Sequence, residues 1–221
     1  MYKLFIFDFD GTLADTREII VRTNQEVQRR MGYPITDEAG IMATVGFVLE
    51  ECILMMYPDL PHEDLPAWTA MYREVFDSLK GEIIPKLFPH VKETLEELYK
   101  RGCIITVASS RGIRSLKDFL REMEIAPYIS YILGAEDVEL PKPNPEPVLK
   151  TLRDLGFQAS DAIVIGDMPV DILMGKGAGA KTCGVSYGNS GRDALIKSGA
   201  DYVIDDISEL TAINLATSHT G

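Results

Sequence analysis

The sequence predicts an α/β fold, a doubly wound parallel sheet of Rossmann-like type with a helical insertion. Three observations predict it. Short apolar, β-branched runs at 2–7, 103–108, 130–133, 162–165, 181–185 and 202–204 recur with helical patterning between them. Strands joined through helices imply right-handed crossovers and a parallel sheet. Between the first run and the second lies a long helical stretch without a strand signal, and 221 residues suffice for a core with a smaller companion.

The first strand, Tyr2 to Phe7, is aromatic and β-branched and is ended by Asp8-Phe9-Asp10-Gly11. Asp15 or Thr16 is placed to cap a helix through about Met31, with Ile20, Thr23, Val27 and Met31 on one face. Further helical stretches are expected near 37–56 and 62–80, divided by Tyr57-Pro58-Asp59-Leu60-Pro61. The expected division is a core of residues 1–14 and 86–221 with residues 15–85 as the helical insertion. From residue 86 the chain alternates. Val91, Leu95 and Leu98 mark a helix, CIITVA (103–108) a strand, 112–123 a helix, 130–133 a strand and 146–156 a helix. Ala162 to Ile165 is a strand, and a helix starts near Pro169, a residue suited to a first turn. Lys181 to Val185 and Tyr202 to Ile204 are strands flanking a helix over Asp193 to Ser198. Residues 216–221 are small and polar, and fraying is expected there.

Composition narrows the function. Apolar residues make up 46% and charged residues 25%, ordinary for a globular chain with a buried core. No apolar run approaches the roughly 20 residues of a spanning helix, and the apolar start runs into Asp8 and Asp10 without a cleavage site. A cytoplasmic protein that does not enter membranes is expected, as a monomer or a homodimer. Cys52, Cys103 and Cys183 are scattered and read as inert packing thiols. The net charge of −12 argues against nucleic acid as a partner. It also repels anionic phosphates, so local cations must reverse the field wherever one binds.

In an open parallel sheet, ligands bind beyond the carboxyl ends of the strands. There this chain places Asp8-Phe9-Asp10-Gly11-Thr12, Ser109-Ser110-Arg111-Gly112, Pro141-Lys142-Pro143 and Gly166-Asp167-Met168-Pro169-Val170-Asp171. Carboxylates, hydroxyls and one lysine thus meet at one edge, a set suited to phosphoryl transfer. Magnesium takes hard oxygen ligands, which Asp8, Asp167 and the backbone carbonyl of Asp10 can supply. Asp171, four residues after Asp167, falls on the same side, either for a metal-held water or to orient Lys142. Asp8 can attack phosphorus to form an acyl phosphate, while Lys142 and magnesium neutralise the phosphate. Ser109 and Ser110 are candidates for the phosphoryl oxygens, and Thr12 either meets the substrate or fixes the Asp-Gly turn. Asp10, two residues from Asp8, is a candidate general acid and base. Gly175, Gly177 and Gly179 lack the Lys-Ser/Thr of a P-loop and read as packing and capping positions.

The blocks DFDGTLADT (8–16), ITVASS (105–110), PKPNPEP (141–147) and IGDMPVDILMGKGAGAKTCGV (165–185) resemble the haloacid dehalogenase superfamily, in its phosphoglycolate-phosphatase-like branch. The likeness extends through YGNSGRDALIKSGADYVIDDISEL (187–210). The resemblance implies Asp8 as nucleophile, Asp10 as acid and base, Ser109 and Lys142 on the phosphate, and Asp8, Asp10 and Asp167 on magnesium. It implies a helical cap over residues 15–85 that closes on a small phosphorylated metabolite. Members that dehalogenate carbon lack the carboxylate at Asp10, so phosphate chemistry is expected here. A phosphoglycolate-type ester is favoured, with inorganic pyrophosphate or a sugar-phosphate phosphomutase reaction as the alternatives. The segment 43–50 is more apolar than a phosphoglycolate phosphatase suggests, and the lack of lysine and arginine over 40–60 argues against the mutase. A phospho-signalling receiver would carry its aspartate on an internal strand, unlike Asp8.

Overall fold

The computed structural model describes residues 2–216, and the expectation of fraying at 217–221 lies outside the described residues. The strands are β1 (Leu4–Phe7), β2 (Ala14–Asp15), β3 (Lys86–Leu87), β4 (Ile104–Ala108), β5 (Tyr131–Leu133), β6 (Ala162–Gly166), β7 (Lys181–Val185) and β8 (Tyr202–Ile204). Six of them form one sheet in the order β5-β4-β1-β6-β7-β8, every pair parallel. β1 is central, with Phe5 opposite Ile105 of β4 on one side and Ile163 of β6 on the other. Its end is therefore flanked by the ends of two neighbours.

Alternation along β1 builds two cores. Phe5 and Phe7 join Ile105, Val107, Ile163 and Ile165 on one face, while Leu4 and Ile6 join Ala108, Val164 and Met174 on the other. All four β1 side chains are 1% exposed or less, and each such burial contributes roughly 1.5–3 kcal/mol. The second face is covered by α7 (Glu146–Leu155) and α8 (Pro169–Gly177). α8 lies so close that a Cβ on Gly175 would stand 2.6 Å from the Thr182 methyl. The first face carries α5 (Val91–Lys100) and α6 (Ile113–Glu122), and α9 (Gly191–Lys197) packs on β7.

The insertion leaves and rejoins the core through a short antiparallel ribbon, Ala14 opposite Leu87 and Asp15 opposite Lys86, too brief to show a periodicity in the sequence. Beyond it stand α1 (Arg17–Met31), α2 (Glu38–Met42), α3 (Leu49–Met56) and α4 (Leu65–Leu79). They have a core of their own around Val27, Ile53, Leu60, Trp68 and Val75. The helix expected over 37–56 is broken, because residues 43–48 turn back on themselves with Gly46 at φ +106°. Thr16 precedes α1 but its hydroxyl does not cap it. The Arg17 N–H is instead accepted by Asp15 Oδ1 at 3.2 Å. Among the described residues, no helix is long and apolar enough to cross a membrane.

Candidate active site

The carboxyl ends of β1, β4 and β6 and the loop after β5 deliver the expected residues to one place. Asp8 follows β1 directly, its N–H bonded to the Ile165 carbonyl at 2.8 Å, and its side chain is buried. Lys142 reaches in from the 141–145 loop with 2% exposure, and its Nζ donates to Asp8 Oδ1 at 2.6 Å and to Asp171 Oδ1 at 2.7 Å. The other oxygen of Asp171 accepts the Met168 N–H at 3.0 Å, closing the first turn of α8. Asp171 is thus fixed from two sides and holds Lys142 against Asp8. A side chain at Gly166 would collide with it, the Asp171 Cβ lying 2.3 Å from where that Cβ would stand.

Asp167 is fully buried and held by two donors, Thr12 Oγ1 to Oδ1 at 3.1 Å and the Asn189 N–H to Oδ2 at 2.7 Å. Gly11, at φ +83°, is required there. A Cβ on it would lie 2.3 Å from Asp167 Oδ2, in a backbone region that L residues rarely adopt. Thr12 has no exposure, and its proton is directed at Asp167. The hydroxyl, expected either to meet the substrate or to fix the Asp-Gly turn, holds a carboxylate in this structure.

Asp8, Asp167 and Asp171 offer carboxylate oxygens within 4.8 Å of one another. Burial, chiefly, pushes the Asp8 carboxyl up to about 7 against the pull of Lys142, and burial with the charges of Asp171 and Asp8 raises Asp167 well above the usual carboxylate range. Burial alone would lower Lys142, yet the Asp171 and Asp8 charges outweigh it and raise it. Three crowded carboxylates against one ammonium leave negative charge uncompensated. Hard oxygen donors with such a deficit fit a divalent cation of the magnesium type. The Asp10 side chain is not in this cluster, so its expected ligand role concerns the backbone carbonyl only.

Asp10 is turned elsewhere. Its Oδ1 accepts from Thr16 Oγ1 at 2.7 Å and Arg111 Nη2 at 2.6 Å, and its Oδ2 from Arg111 Nε at 3.0 Å. The hydroxyl expected to cap α1 thus holds the candidate acid and base, at the point where the insertion begins. Ser109 Oγ accepts the Arg111 N–H at 3.2 Å, which bends the chain after β4. Ser110 Oγ donates to the Gly46 carbonyl at 2.6 Å, so it ties core to insertion and is not free for a phosphate in this conformation. Asp8, Asp10, Ser109, Ser110 and Arg111 line a cavity of about 620 Å³ between core and insertion. Asp8 Oδ2 accepts no hydrogen bond from the described residues.

Sequence reasoning missed Arg111, Thr16, Asn189 and Gly46. Arg111 left a signal, an arginine directly after a strand-end serine pair in a strongly acidic chain. Asn189 and Gly46 act through backbone groups that any residue carries, and nothing in their spacing marks them.

The comparisons agree with this geometry. The chain is 34% identical over 216 residues to the "Probable phosphatase IndB" of Dickeya dadantii, covering 95% of this chain and 92% of that protein. It is 32% identical to the phosphoglycolate phosphatase of Vibrio parahaemolyticus, covering 96% and 95%. A haloacid dehalogenase-like hydrolase from Bacteroides fragilis superposes with a TM-score of 0.88 at 29% identity, covering 95% of this chain and all of the other. The family model "Haloacid dehalogenase-like hydrolase" matches residues 5–185, a span that contains the carboxylate cluster, Lys142 and the whole insertion, and the chain belongs to that family.

Proposed function

We propose that the protein is a magnesium-dependent phosphatase that hydrolyses a small phosphate ester through a phosphoaspartate on Asp8. The carrying observation is the buried triad Asp8–Lys142–Asp171, beside Asp167 and open to the cavity through Asp8. Asp8 Oδ2 attacks phosphorus, the bond from phosphorus to the leaving oxygen breaks, and Asp10 gives that oxygen its proton. In the second half Asp10 takes a proton from water as the water attacks phosphorus, which frees inorganic phosphate and restores Asp8. Lys142 neutralises a phosphoryl oxygen in both halves, and Asp171 keeps it in place. Asp8, Asp167 and the Asp10 carbonyl would hold the magnesium ion, which when bound supplies charge to set against the phosphate. The insertion of residues 15–85 serves as the cap, hinged at the ribbon of β2 and β3, with Ser110 and Gly46 as one closing contact. A phosphoglycolate-type substrate is favoured, in line with the activity named for the Vibrio relative.

The test is phosphate release from phosphoglycolate, pyrophosphate and sugar phosphates, with magnesium and with EDTA. Wild type should need the metal, and Asp8→Asn should fold yet show neither turnover nor an intact-mass increase from the phosphoryl group. Turnover by Asp8→Asn, or full activity in EDTA, overturns the mechanism.

A further inference from the structure

Four cationic side chains line the cavity: Arg73, Lys80, Arg111 and Arg114. Arg73 and Arg114 are exposed, and Lys80 is engaged by Asp118 and Glu122. Arg111 differs, with a side chain only 9% exposed. Its Cζ lies 5.1 Å from the ring centroids of both Phe76, on the insertion, and Phe119, on the core. Cation–π attraction on two sides fixes the plane of the guanidinium. In that plane the Nε and Nη2 edge grips Asp10, and Nη1 donates to Ser115 Oγ at 3.1 Å.

A guanidinium carries five N–H groups. Nε, Nη1 and Nη2 each use one on these partners, so Nη1 and Nη2 each keep an N–H without an acceptor among the described residues. Free N–H groups on a rigidly held guanidinium suit the oxygens of a carboxylate or phosphate. Among the described residues that line the cavity, the other three cations are exposed or already paired with carboxylates.

We propose that Arg111 sets the substrate class: it receives a second anionic group of the substrate on its Nη atoms while its Nε edge keeps Asp10 beside the leaving oxygen. This rests on the phosphatase reading above. Because one planar group holds both the substrate's acid and Asp10, the acid must lie close to the ester oxygen. The preferred substrates are phosphate monoesters of short hydroxy acids. Neutral alcohol phosphates, and esters whose acid sits at the end of a long chain, are disfavoured.

The experiment compares kcat/KM for phosphoglycolate, its neutral counterpart 2-hydroxyethyl phosphate, and the phosphate of a long-chain ω-hydroxy acid. Wild type should prefer phosphoglycolate over either by about ten- to a hundred-fold, the worth of a charge-assisted hydrogen bond. Arg111→Met should bring the ratios close to one, and Arg111→Lys should restore part of the preference, since an ammonium supplies charge without the fork. Parallel losses on all three esters, with the ratios intact, would make Arg111 merely structural and overturn the proposal. A second readout does not need turnover. In Asp8→Asn protein, the Arg111 Nε–H nuclear magnetic resonance signal, assigned by its absence in Arg111→Lys, should move with phosphoglycolate and stay with 2-hydroxyethyl phosphate. An unmoved signal, or equal movement with both, overturns the proposal. If wild type cleaves none of the esters, the phosphatase reading falls and this signal alone decides the role of Arg111.

Discussion

Replacing Lys142 by methionine keeps most of the side-chain volume and removes the ammonium that bonds Asp8 and Asp171. In wild type the ammonium lies 2.6 Å from Asp8 and 2.7 Å from Asp171, at 2% exposure, with three carboxylates within 4.8 Å of one another. Breaking a buried ion pair by removing one partner costs about 3–5 kcal/mol, because the remaining charge stays desolvated. The cost depends on pH, and its sign follows from the carboxyls. Asp8 has an ordinary value of 3.8 and a folded value of about 7 even with Lys142 present. The folded state therefore binds more protons than the unfolded chain between those values, and stability falls as pH rises through that window. Without Lys142 the Asp8 carboxyl moves further up, so Lys142→Met should lose less at pH 5, where Asp8 is protonated, and the full ~3–5 kcal/mol near pH 8. For a chain of this length that is roughly 6–20 °C in Tm. Urea or thermal unfolding of metal-free protein at pH 5 and pH 8 measures it. A loss under ~1 kcal/mol at pH 8, or the same loss at both pH values, would refute the reading of the cluster as a buried charge deficit.

Two further predictions follow from the same geometry. Asp10→Asn should reduce alkyl phosphate hydrolysis by about 10²–10⁴-fold and activated aryl phosphate cleavage less, with phosphoenzyme accumulating on the aryl ester in single-turnover measurements. Equal, small losses on both esters would leave Asp10 without a proton to move. Gly11→Ala should displace Asp167, since its Cβ would stand 2.3 Å from Asp167 Oδ2 in left-handed backbone. Titration calorimetry with magnesium should show weakened binding in a folded protein, and unchanged affinity would mean that Asp167 is not held for a metal.

Some of this protein was present in the order of its residues. The runs around Phe5, Ile105 and Val164 are short and apolar because they are strands buried on both faces, so alternation with helices was enough to give the parallel sheet. Asp8, Lys142 and Asp167 were legible because a strand end is a fixed address, and each follows or closely trails one. The helical insertion was legible as a region, while its break at 43–48 was not, since one glycine at positive φ decides it. Tertiary structure alone decided what each oxygen faces. Thr12 turned to Asp167, Ser110 to the Gly46 carbonyl, Thr16 to Asp10, and Arg111 across 101 residues of sequence to that same carboxylate. Spacing along a chain carries strand ends and helix faces, but a hydroxyl or a guanidinium takes its partner from whatever folding brings within 3 Å or so, where the strength of a hydrogen bond is concentrated.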